Sequence, residues 1–126
     1  MLTQIMLETI EKKINTKYGV IVNKPLPMKE HSYYVYMLTN KHKTVLYTGV
    51  TNNLQSRLMQ HMSGQVKGFT SKYNCYNLVH FECYDEVTDA IEREKQLKGL
   101  SRGKKDALIA SSNPEWRFLN DEVLAW

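Results

Sequence analysis

Apolar and polar positions follow two different periods along this chain. Tyr33-Tyr34-Val35-Tyr36-Met37-Leu38 and Val45-Leu46-Tyr47-Thr48-Gly49-Val50 are short β-branched and aromatic runs that predict two strands. The polar interval 39–44 between them suits a hairpin. A third run, 76–83, is apolar at Leu78, Val79 and Phe81 and predicts another strand. Leu54, Leu58 and Met62 are four apart, which predicts a helix over 54–62 capped by Asn52 or Asn53. Val87, Ala90, Ile91 and Leu97 predict a second helix over 87–98, capped by Asp85 or Thr88 and stopped by Gly99. Ser101 caps a last helix, about 102–112, closed by Asn113-Pro114, and Trp116, Phe118 and Leu119 are expected to pack back on the sheet. Upstream, Leu2, Ile5, Met6, Ile10 and Ile14 suit a short amphipathic helix, residues 18–23 a brief strand, and Pro25-Leu26-Pro27 a linker. Residues 1–30 are therefore expected as an extension, 31–119 as the domain and 120–126 as a tail. Met28 would make a natural start for that domain.

This pattern places polar groups in unexpected positions. If Tyr36 pairs with Tyr47, both phenols lie on one face, with Gly49 two residues on leaving that face bare. Such a gap admits another molecule's backbone, although two tyrosines on a half-buried sheet are the simpler explanation. Arg57 and His61 are four apart beside the buried stripe of their helix, where, taken alone, a solvated face is the simpler explanation. The loop 63–72, with Lys67 and Lys72, could follow a phosphate backbone or be plain surface. Arg93, Lys95, Lys98, Arg102, Lys104 and Lys105 form a basic run of the kind usually found on solvated faces. Glu94 is different. It lies seven after Val87, four after Ala90 and three before Leu97, and a carboxylate on a core stripe is costly unless something pairs with it. Arg57 or a tyrosine could satisfy it without any chemistry. His80 has no partner at metal-ligand spacing and reads as a satisfied or exposed strand histidine.

Composition narrows the field. A chain of 126 residues argues for one domain with a modest core. The net charge of +4 permits an anionic partner, and the excess is concentrated at 31–114, with 11 Lys or Arg against 7 Asp or Glu. Cys75 and Cys83 lack the spacing of a metal or redox motif. No apolar run approaches membrane-spanning length, and acidic residues from Glu8 onward break any secretory pattern. A cytoplasmic protein with reduced thiols and no membrane association is expected.

Taken together, these residues resemble the GIY-YIG nuclease superfamily. Tyr34-Val35-Tyr36 is similar to its first motif and Tyr47-Thr48-Gly49 to its second. Arg57 and His61 fall at the family's spacing, and the segment 90–98 resembles its metal-glutamate helix. Asn113-Pro114-Glu115-Trp116 looks like the closing segment, and 69–73 with 78–82 is similar to the small stand-alone bacterial members. The likeness covers roughly 32–119. Tyr34 replaces the first motif's glycine and Thr48 the second motif's isoleucine, changes in packing rather than chemistry. Residues 1–27 match nothing in the family.

The resemblance implies an α/β (α+β) fold, a small three-stranded, mostly antiparallel sheet flanked by helices. It also implies a metal-dependent endonuclease that hydrolyses DNA phosphodiester bonds, structure-directed or weakly sequence-specific. No recognition domain accompanies the motifs, so branched, duplex and single-stranded DNA stay open as substrates. Tyr36 would be the base. A free phenol is only about one part in a thousand ionised at pH 7, a cost of about 4 kcal/mol that Tyr47, His61, Arg57 and a metal could offset. His61 could take the proton, Arg57 would clamp the phosphate, and Glu94 would hold one divalent ion, Mg²⁺ by default and Mn²⁺ as a substitute. Asn113 would orient water or the ion's outer shell, and Lys67, Lys72, Lys104 and Lys105 would meet phosphates. Two other readings stay open: a catalytically inactive nucleic-acid-binding module, and a protein-interaction domain that docks through the N-terminal extension or the acidic tail.

Overall fold

The structure is a computed structural model that describes residues 32–126, so the expectations for the extension lie outside the described residues. Strand β1 (Tyr33–Thr39) is the centre of a three-stranded sheet, with β2 (Leu46–Thr51) and β3 (Asn77–Tyr84) antiparallel to it on either side. Helices α1 (Leu54–Met62), α2 (Phe69–Tyr73), α3 (Val87–Lys98), α4 (Arg102–Ser112) and α5 (Asn120–Leu124) complete the order. The fold is the expected small antiparallel sheet flanked by helices.

Side-chain alternation along β1 splits the core in two. Tyr34, Tyr36 and Leu38 face Leu54 and Leu58 of α1, together with Leu78, Phe81, Leu119 and Val123. Val35 and Met37 face Ala90 and Leu97 of α3 and Ile109 of α4. A full burial of one such aliphatic side chain is worth about 1.5–3 kcal/mol, so both faces hold their helices firmly. Residues 120–126, expected as a tail, join the first cluster. Val123 is buried, Trp126 packs on Tyr34 and Phe81 at ring distances of 5.8 and 5.5 Å, and Gln55 donates to the Leu124 and Trp126 carbonyls. Leu119 N–H donates to Leu78 O, and the Asn120 side chain accepts from Leu78 N–H and donates to Tyr76 O, which covers the outer edge of β3.

The hairpin register differs from expectation. Tyr36 lies opposite Gly49, and Tyr47 lies opposite Leu38. The cause is the turn. Asn40 Oδ1 accepts from Thr44 and Val45 N–H, Lys43 adopts a left-handed φ of 61°, and Thr39 Oγ1 donates to Val45 O, so the ladder closes at Thr39 and Leu46. The shift is by two residues, an even number, so the two phenols and Gly49 keep a common face.

Two helical expectations also change. Residues 69–73 form a short helix inside the predicted loop. It follows Gly68, whose φ of 98° suits glycine, and ends on a left-handed Asn74. In α3 only Ala90 and Leu97 of the apolar series are buried, while Val87 and Ile91 are exposed. The buried stripe runs instead through Arg93 and Glu94, both partly covered. Leu119 is buried as expected, but Phe118 is exposed.

Candidate active site

The phenol of Tyr36 is the centre of the polar groups on the α1 face. Its ring lies across Gly49. A Cβ added there would fall 2.6 Å from both Tyr36 Cζ and its hydroxyl oxygen. The bare position is therefore filled by the protein's own tyrosine, not left for a partner's backbone. Tyr36 is buried, and its hydroxyl meets His61 Nε2 at 2.9 Å. His61 Nδ1 meets Thr70 Oγ1 at 3.2 Å. Tyr47 closes the group, with ring centroids 6.2 Å from Tyr36 and 5.6 Å from His61.

Helix α1 aims His61 inward because Leu54, Leu58 and His61 share its buried side. Asn53 caps the helix by accepting from Ser56 N–H. Arg57, one turn before His61, donates to Gln60 Oε1 at 3.3 Å, and its charge acts on both Tyr36 and His61. Burial, with the Arg57 charge second, pulls the His61 pKa down to about 4. Burial also holds the Tyr36 phenol far above its ordinary value, with Tyr47 and Glu94 adding to the rise and Arg57 opposing it. Both groups are thus neutral at pH 7. With Tyr36 O–H donating to Nε2, the proton of His61 sits on Nδ1 and faces Thr70 Oγ1.

Glu94 arrives from the other layer. Helix α3 packs under β1 and β2, and β2 is an edge strand. The Tyr36 ring crosses Gly49 on that strand, and the Glu94 charge is the smallest of the influences on the phenol, raising it. The Glu94 side chain is 14 % exposed, and Lys98 Nζ meets its Oε2 at 2.7 Å. The described residues contain no cluster of three or more His, Cys, Asp or Glu side chains. A lone, partly covered carboxylate fits a single hard cation that takes its other ligands from water and phosphate oxygens.

The remaining expected residues separate. Asn113 Nδ2 donates to Val79 O and Arg117 O, and its Oδ1 accepts from Arg117 N–H. These bonds commit its amide to backbone groups, of strand β3 and of the 113–117 turn. Lys67 and Lys72 are exposed beside α2 on the phenol side. Lys104 and Lys105 belong to α4, which packs on the opposite face. His80 is buried and satisfied, as expected, by Glu82 Oε2 at 2.8 Å. The sequence reading missed Thr70 and the ring pair Phe69–Tyr73. Their signal was the four-residue spacing of two aromatics around an inward threonine.

An alanine at position 49 has no room unless the Tyr36 ring moves. Gly49→Ala is expected to cost about 1–3 kcal/mol of stability, and any catalytic use of the phenol should fall at least about 100-fold. Thermal melting and turnover measured on the same preparation check both effects.

A model of the GIY-YIG catalytic domain matches residues 32–106, and the chain belongs to that family. Within it, the chain is similar to small stand-alone proteins. The UPF0213 protein of Natronomonas pharaonis is 40 % identical over 78 residues, covering 62 % of this chain and 91 % of the relative. That of Syntrophus aciditrophicus is 42 % identical over 83 residues, covering 65 % and 93 %. Among solved structures, the NMR structure of the UPF0213 protein from Bacillus halodurans is 29 % identical, covers 68 % of this chain and 89 % of its own, and has a TM-score of 0.46.

Proposed function

We propose that this protein is a metal-dependent nuclease that hydrolyses DNA phosphodiester bonds, structure-directed or weakly specific for sequence. Its catalytic unit takes in residues 32–126, since Val123 and Trp126 pack in the same core as Tyr36. One observation carries the reading: a buried phenol bonded to a buried neutral imidazole, with the charges of Arg57 and Glu94 both acting on it. Structure alone does not require those four groups together. Tyr36 activates the attacking water, and His61 Nε2 stands ready to take the phenolic proton. Tyr47 packs its ring against both Tyr36 and His61. Arg57 neutralises the phosphate as charge builds in the transition state. Glu94 holds a divalent ion, Mg²⁺ or Mn²⁺, which supplies Lewis-acid stabilisation of the phosphate and leaving oxygens when bound. The site of action in this reading is the cytoplasm, where thiols such as Cys75 and Cys83, which form no disulfide among the described residues, stay reduced.

The test is a cleavage panel over plasmid, branched and single-stranded DNA, with and without Mg²⁺, beside Tyr36→Phe. Cleavage that needs both the ion and the phenol is the expected result. Equal activity in Tyr36→Phe would instead point to a contaminating nuclease.

A pH profile gives an independent check. Because Tyr36 is held above its ordinary value, its basic form becomes more abundant throughout the neutral range as pH rises. Turnover at saturating substrate is expected to climb between pH 6 and 8, approaching about tenfold per unit. A flat profile would mean instead that the neutral pair reacts, with the phenolic proton passing to His61 within the same step. Below neutrality the effect is on stability. The His61 value is depressed from 6.5 to about 4, so the unfolded chain binds the proton first. Stability from this group is present above pH 6.5 and is lost as pH falls through 4, an amount of about 3 kcal/mol. Denaturant titrations at pH 7 and pH 4 should show that loss, and His61→Gln should reduce it.

A further inference from the structure

Helix α2 has two different sides. Thr70 points inward to His61, while Phe69 and Tyr73, four residues apart, point outward and are 46 % and 40 % exposed. Their rings lie 4.7 Å apart, and Phe69 in turn lies 6.1 Å from Tyr47. An unbroken aromatic run therefore leads from the buried phenol and imidazole to open solvent. Lys72 Nζ sits 5.3 Å from the Tyr73 ring, and Lys67 is exposed just upstream. The surrounding chain has one sign of charge. Residues 31–81 contain five Lys or Arg and no Asp or Glu.

We propose that Phe69 and Tyr73 form a stacking platform for an unpaired nucleobase, on the strand whose phosphate enters the Tyr36–His61 centre. An exposed ring pair has a hydrophobic cost that a docked base removes, and every base offers a π-face to it. The lysines beside the rings answer the phosphates on either side of that base. The hydrogen bond between Thr70 and His61 fixes the platform to the proton-accepting group, so the stacked base sets the register of the neighbouring phosphate. A base inside an intact duplex cannot reach the rings without leaving its stack. The preferred substrate is then a strand unpaired at that position: a flap, a gap or a free single strand. This inference rests on the nuclease reading of the same site.

The experiment uses the full chain in EDTA, with a fluorescein-labelled single-stranded DNA and a blunt duplex of the same sequence. Phe69→Ala and Tyr73→Ala are each expected to weaken single-strand binding by about tenfold or more. Duplex binding should stay within about twofold of wild type, and Phe69→Trp should retain single-strand affinity. A 2-aminopurine in the strand should be quenched by the wild type and recover in Phe69→Ala. Equal losses on both DNAs, or no loss on the single strand, overturn the platform. Should Phe69→Ala melt early, Tyr73→Ala, which is remote from Tyr47, decides the matter. The two readings fail separately. Stacking signatures without Mg²⁺-dependent cleavage of any DNA would leave the platform and sink the nuclease, and cleavage without them would do the reverse.

Discussion

Replacing Glu94 with alanine is expected to cut Mg²⁺-dependent cleavage at least about 1000-fold while leaving DNA binding and folding close to wild type. A cation that offsets several kcal/mol of developing charge accounts for that factor, since each 1.4 kcal/mol is tenfold in rate. Folding should hold because the partner of Glu94 is Lys98, whose side chain is 55 % exposed, and such a surface pair is worth at most about 1 kcal/mol. Binding should hold because the proposed function draws its phosphate contacts from Arg57, Lys67 and Lys72 rather than from Glu94. Single-turnover cleavage and binding in EDTA separate the two effects. Near-normal turnover in Glu94→Ala would remove it as the cation's ligand.

The second large effect concerns stability. Glu82→Ala is expected to cost about 3–5 kcal/mol, a large share of what holds a domain of this size. Glu82 is buried on the α3 face of β3. It accepts from Arg93 Nε and Nη2 at 2.8 and 3.1 Å, from the Tyr84 hydroxyl at 2.7 Å, and is hydrogen-bonded to His80 Nε2 at 2.8 Å. Burial alone would raise its pKa. The hydrogen bonds from His80 and Arg93 outweigh burial and bring it down to about 2. Its contribution is thus present above the unfolded value near 4.5 and is lost as pH falls through 2, below the window of His61. Urea unfolding at pH 7 measures the effect. A change under about 1 kcal/mol would mean that water replaces the carboxylate without penalty.

The fold was largely legible because period-2 and period-3.6 patterns report which face is buried, and both faces of this sheet are. Tyr36, Tyr47, Gly49, Arg57, His61 and Glu94 were legible as oddities, polar or bare positions on apolar stripes. What the pattern did not contain was distance. Turn chemistry at Asn40 moved Tyr47 off its expected partner, and no periodicity reports that a side chain bonds its own loop. Asn113 looked available and is committed to backbone, because a closing turn and an active site use the same amide. Glu82 carried no mark in the pattern, since the arginine that satisfies it lies eleven residues away on another element. Phe69 and Tyr73 fell in a segment too short and too rich in glycine neighbours to announce a helix.

The van der Waals fit between Gly49 and Tyr36 makes those two positions interdependent. In any relative or designed sequence of this fold, a side chain at the equivalent of position 49 would force the aromatic ring out of its slot. That single position therefore serves as a diagnostic marker: a bulky residue there flags a protein whose tyrosine ring cannot take this place, whatever the rest of its motifs look like.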